Sequence, residues 1–210
     1  MKKLFIILLI VIATVLVVGT VYLFPRSPYW PQERIVIALP FSQDQPPKSI
    51  IPMGETVDHP NAPLGHPGID FQWDYPAAVL ASADGTVETI KSTKDDNGIT
   101  NWAVEVRNGK YKLSYVELES YEQSLKKGAK VKTGDKIGIA YKPFPDKEHR
   151  NLHWELGYSF AIGEPLCPLT YFNSESKKRI EDLWNRLGPA YRDYKAFPDL
   201  CSGGFKNRDQ

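Results

Sequence analysis

The chain has 210 residues, a formal net charge of +1, ordinary hydrophobic content and two cysteines. That length suits one domain with appendages. A near-neutral charge, with no lysine–arginine cluster interleaved with aromatics, excludes a nucleic-acid partner.

Residues 1–24 open with Lys2-Lys3 and run apolar from Leu4 to Phe24, interrupted by Thr14, Gly19, Thr20 and Tyr22. About 20 such residues cross a bilayer. No small-x-small cleavage site is evident and no cysteine is there to take lipid, so an uncleaved signal anchor is expected. Lys2 and Lys3 then stay in the cytoplasm and the rest of the chain lies outside. Residues 25–50 carry Pro28, Pro31, Pro46 and Pro47 and read as an extended spacer. Within it, residues 34–39 have the character of one edge strand.

The globular part is expected over 51–172. Its first informative stretch is Gly65-His66-Pro67-Gly68-Ile69-Asp70-Phe71. A histidine and a carboxylate four residues apart are zinc-ligand chemistry. Fully extended, that spacing covers about 13 Å, so the segment must bend, and Pro67-Gly68 is a turn dipeptide. Beyond the turn, Ile69, Phe71 and Trp73 fall on one face of a strand and Asp70, Gln72 and Asp74 on the other. The apolar set belongs in the core, which turns Asp70 toward a polar groove. His59 precedes Pro60 and reads as a solvated loop histidine.

Further strands are expected at 78–82, 86–91, 102–107, 111–118, 136–141 and 152–158. Asn108-Gly109 is a strong hairpin signal, and Asp96-Asn97-Gly98 reads as another turn. Many short strands with regular turns imply an all-β sandwich or barrel. The run Asn151-Leu152-His153-Trp154-Glu155-Leu156 alternates, so Asn151, His153 and Glu155 share a face. This run is the best source of a third ligand, and three protein ligands leave an open position, as in catalytic zinc sites. The tail, 173–210, is expected to be helical, capped at Asn173 or Ser174. Ile180, Leu183, Trp184 and Leu187 form its apolar stripe, and Gly188-Pro189 ends it. Cys167 and Cys201, an even pair outside the cytoplasm, are expected to form a disulfide.

The HPGIDF and NLHWEL stretches resemble the lysostaphin-type zinc metallopeptidases, the LytM-like domains of peptidase family M23, over roughly residues 51–172. Ala83-Asp84-Gly85-Thr86-Val87 and the run from Gly128 through Gly138 extend the likeness. The resemblance implies an all-β domain of the compact β-sandwich, barrel-sandwich hybrid type. It also implies Zn2+ held by His66, Asp70 and His153, and hydrolysis of peptide cross-links in peptidoglycan. Two positions depart from the family pattern. The first histidine of His-x-His is Asn151 here, and the histidine of Tyr-x-His-Leu is replaced in Tyr115-Val116-Glu117-Leu118. Glu117 then offers itself as general base. Asn151 offers a hydrogen bond to a developing oxyanion. His149, four residues before His153, is a second candidate for the missing histidine.

Two functions are open. One is a membrane-anchored zinc hydrolase acting on cell-wall peptide, with Glu117 or His149 as base. The other is a pseudopeptidase that binds wall material or regulates a partner hydrolase. A biotinyl- or lipoyl-carrier domain is disfavoured: Lys110 follows Asn108-Gly109, but the carrier context around it is missing.

Overall fold

The computed structural model describes residues 6–7, 10–16, 33–54, 65–95, 98–159, 165–187 and 200–201. Residues 6–7 and 10–16 are helical, and among the described residues no helix is long and apolar enough to cross a membrane. The expected anchor at 1–24 lies mostly outside the described residues. So do His59, the 96–97 turn and Gly188-Pro189.

The body is mostly β and antiparallel. Among the described residues ten strands follow in order: β1 (Ser49–Ile51), β2 (Ile69–Trp73), β3 (Ala78–Leu80), β4 (Gly85–Lys94), β5 (Thr100–Asn108), β6 (Tyr111–Tyr121), β7 (Lys130–Val131), β8 (Lys136–Ala140), β9 (Arg150–Tyr158) and β10 (Pro165–Leu166). The main sheet runs β1-β2-β9-β6-β5-β4-β7, with β10 on β9 and β3 on β8.

Strand β6 forks. Its first half, Tyr111 to Val116, pairs with β9, whereas Leu118 to Tyr121 pair with β8. Glu117 sits at the switch, with φ 63°, the one positive φ of a residue other than glycine among the described residues. A side chain held in that left-handed region is uncommon and marks a place where the surroundings dictate the backbone. Here the Glu117 carbonyl accepts from the Tyr141 amide at 3.0 Å, and Tyr141 also bridges Asn151. The fork therefore opens between the ends of β8 and β9.

Alternation explains which faces are buried. Ile69, Phe71 and Trp73 on β2, and Leu152, Trp154 and Leu156 on β9, are all buried. Asp70, Gln72, Asn151, His153 and Glu155 point the other way and are half-buried.

Residues 35–41, within the stretch expected as spacer, join this core. Ile35, Ile37, Leu39 and Phe41 are buried while Val36 is exposed. Ile37 bridges Phe172 in parallel, and Phe41 packs edge-on against Phe71 at 5.1 Å between ring centroids. Period-two alternation outweighs the flanking prolines, because each inward side chain gains apolar burial of about 1.5–3 kcal/mol. The helix Ser174–Arg186 starts where Asn173 Oδ1 accepts the Ser176 amide at 2.7 Å. It buries Ile180, Leu183 and Trp184 against the same core.

Candidate metal centre

The Pro67-Gly68 bend brings His66 back over its own strand. His66 lies before the turn and Asp70 is the second residue of β2, opposite His153 on β9 in the ladder. Three donor atoms converge. His66 Nε2 lies 3.0 Å from His153 Nδ1 and 3.2 Å from Asp70 Oδ1, and His153 Nδ1 lies 2.7 Å from Asp70 Oδ1. Ligands about 2.0–2.2 Å from a tetrahedral zinc would stand about 3.3–3.6 Å apart, so these three, each a few tenths of an ångström or more closer, would spread to take one ion.

The outer ring nitrogens fix the tautomers. His66 Nδ1 donates to the Pro52 carbonyl at 3.0 Å, which leaves Nε2 with its lone pair inward. His153 Nε2 donates to Glu155 Oε1 at 2.8 Å, which turns Nδ1 inward. A carbonyl and a carboxylate behind the two ligand histidines are the usual outer support of a zinc site. Two imidazole nitrogens and a carboxylate oxygen meeting at one point form a group that could hold a metal ion. The side chains are 2%, 13% and 15% exposed for His66, Asp70 and His153, so the cluster is largely shielded from solvent.

The charges follow the geometry. Burial works against a protonated His153, but the carboxylates of Asp70 and Glu155 outweigh it and its pKa is pushed up to about 10. Burial likewise opposes an ionised Asp70, yet hydrogen bonds from His153 and His66 hold its carboxyl far below the usual range. A proton at His153 Nδ1 and a divalent ion would compete for one position, so metal uptake there would release that proton.

Glu117 and Asn151, placed on β6 and β9 across the fork, meet each other: Asn151 Nδ2 donates to Glu117 Oε2. Burial raises the pKa of Glu117, and the nearby charge of Asp70 raises it further. Asn151 Oδ1 is buried without a partner. His149 is the remaining candidate. It lies in the loop before β9 with its ring 6.1 Å from Phe144, and burial lowers its pKa. Glu155 is a residue that sequence reasoning placed on the right face but gave no role. Its signal was its position two residues beyond His153, on the same side of a strand.

Gly68 sets how closely the turn approaches. A Cβ there would lie 2.9 Å from His153 Nε2 and 2.6 Å from the Trp154 carbonyl oxygen, so only glycine fits without displacing the ligand.

The model of peptidase family M23 matches residues 64–165. No curated protein matches the chain. Among solved structures, Csd3 of Helicobacter pylori is similar at 19% identity and a TM-score of 0.52, over 75% of this chain and 45% of that one. A zinc-containing peptidase from Vibrio cholerae matches at 20% identity and 0.45, over 62% of this chain and 40% of that one. Lysostaphin of Staphylococcus simulans matches at 18% identity and 0.47, over 64% and 54%. The chain thus spans about half the length of these structures. At this identity the Csd3 likeness concerns the fold.

Proposed function

We propose that the chain, whose residues 64–165 match the model of peptidase family M23, is a zinc-dependent peptidase of the cell wall, anchored to the membrane through residues 1–24. His66, Asp70 and His153 would hold the metal. When bound, zinc supplies Lewis acidity toward a carbonyl and makes water acidic enough to ionise near neutral pH. Glu117 is the base: burial and the Asp70 charge lift its proton affinity toward the working range. It takes a proton from the attacking water at Oε and returns it to the leaving amine. Asn151 holds the Glu117 carboxylate in place through Nδ2, so in this reading it serves as a positioning residue. Peptidoglycan cross-link peptides are the substrate class the family match favours. The apolar composition of 1–24 and the Cys167–Cys201 disulfide support an extracytoplasmic domain.

One observation carries this reading: three candidate ligand atoms within about 3 Å of one another, in the field of a half-buried glutamate. The purified chain should bind one zinc and release peptides from peptidoglycan sacculi. Glu117→Gln should keep the zinc and lose at least 100-fold in turnover, the usual scale for removing a general base. The competing reading, a domain that binds wall material or regulates a partner hydrolase without cutting it, predicts a zinc-loaded wild type that cleaves nothing.

A further inference from the structure

His66 is held from outside the family segment. Pro52 accepts its Nδ1–H at 3.0 Å, and Gly54 exchanges two backbone hydrogen bonds with it, the Gly54 amide reaching the His66 carbonyl at 2.9 Å. Between these two residues, Met53 turns its backbone the other way. It donates its amide to the Leu200 carbonyl at 2.9 Å and bridges Cys201 in parallel. Met53, Leu200 and Cys201 are all buried. Cys201 is disulfide-bonded to Cys167, 34 residues earlier, with 5.9 Å between the Cα atoms. Cys167 directly follows β10, and β10 pairs with β9, the strand that carries His153. A continuous path therefore joins the two ligand histidines behind the site, and the sulfur–sulfur bond closes it.

We propose that the Cys167–Cys201 disulfide and the Leu200–Cys201 segment are a positioning element for the metal centre. With the bond closed, the tail holds Met53, and Met53 keeps the Pro52 carbonyl and Gly54 against His66, so that Nε2 faces Asp70 and His153. With the bond open, a two-residue pairing cannot repay the ordering of the segment. Met53 is then released, the support behind His66 loosens and zinc affinity falls. The cross-link supplies what the pairing lacks by limiting the freedom of the Leu200–Cys201 segment. This inference rests on the reading that His66, Asp70 and His153 hold zinc.

The test uses the full chain. Zinc affinity is measured by competition with a chromogenic chelator for three samples: oxidised wild type, wild type reduced with a water-soluble phosphine, and the Cys167→Ser/Cys201→Ser variant. The phosphine ends as its oxide, with oxygen and two protons from water, as the disulfide opens to two thiols. Reduction should weaken zinc binding about 10–100-fold, the usual cost of losing outer support for a ligand. The double serine variant should bind as weakly and ignore the phosphine. Hydrogen exchange on the same samples should quicken at Met53, Gly54 and His66, while Val104, Val106 and Leu113 in β5 and β6 stay protected. Equal affinity in all three samples would overturn the positioning role and leave the zinc site standing. General loss of protection in β5 and β6 would also overturn it, because the effect would then be unfolding. If wild type takes up no zinc, or His66→Ala binds it as tightly as wild type, the zinc reading itself fails.

Discussion

At the scale of single residues, the site is governed by what stands behind each ligand. Glu155 accepts the outer N–H of His153 at 2.8 Å and so keeps the ligand tautomer. Glu155→Gln leaves a weaker acceptor for that N–H, and zinc affinity should fall about 10–100-fold, measured by chelator competition. A variant with wild-type affinity would mean that ring orientation is set elsewhere. Gly68→Ala puts a methyl 2.9 Å from His153 Nε2 and against backbone. It should cost about 1–3 kcal/mol in thermal unfolding, as overpacking does, and lower zinc affinity as well. The meeting of His66, Asp70 and His153 was legible in the sequence because each stood in a spaced motif with a turn or an alternating run around it. The Glu117–Asn151 contact was not. It depends on a long-range register, Val116 opposite His153, and on a left-handed residue at a fork that no local pattern announces.

At the scale of elements, the longer strands could be read because side chains alternate over five residues or more, and the Asn108-Gly109 turn fixed one hairpin. Gly109 has φ 56°, the conformation such a turn demands. Gly109→Ala should therefore cost about 1 kcal/mol by denaturant titration, although the added methyl meets nothing within 4 Å. A neutral result would show that the hairpin is set by its strands alone. Strands β1, β7 and β10 have two or three residues each and no pattern of their own; they exist because neighbours offer edges. The Asp84 turn after β3 is tied down differently. Hydrogen bonds from Lys132 and Thr133 depress the pKa of its carboxyl from 3.8 to about 2. A carboxyl whose pKa falls on folding contributes stability that is complete above its unfolded value and lost as pH drops through the folded one. The wild type should thus lose this contribution between about pH 4 and 2. Asp84→Asn should flatten that part of the stability profile, by a small amount because the pair is exposed.

For the whole molecule, the family segment and the folding unit are not the same length of chain. The underside of the sheet, Phe71, Trp73 and Trp154, is covered by Phe41 from residues 35–41 and by Phe172, with the Trp154 and Phe172 rings stacked at 5.8 Å. Ile37, Ile50 and Ile180, each at most 1% exposed, also lie outside 64–165. Proline content made residues 25–50 read as spacer, and composition could not reveal that the alternating run inside it had a sheet to cover. Removing those flanks would expose several large side chains at once, each about 1.5–3 kcal/mol of burial. Domain stabilities are only about 5–15 kcal/mol in total. A fragment of residues 64–165 should therefore show no cooperative thermal transition by circular dichroism, whereas residues 33–201 should unfold in one step. If the short fragment folded cooperatively and bound zinc as tightly as the full chain, the flanks would be ornaments on an autonomous domain. The carbonyl of Pro52 and the edge of Gly54 would then be dispensable to His66, against the geometry that places both of them on it.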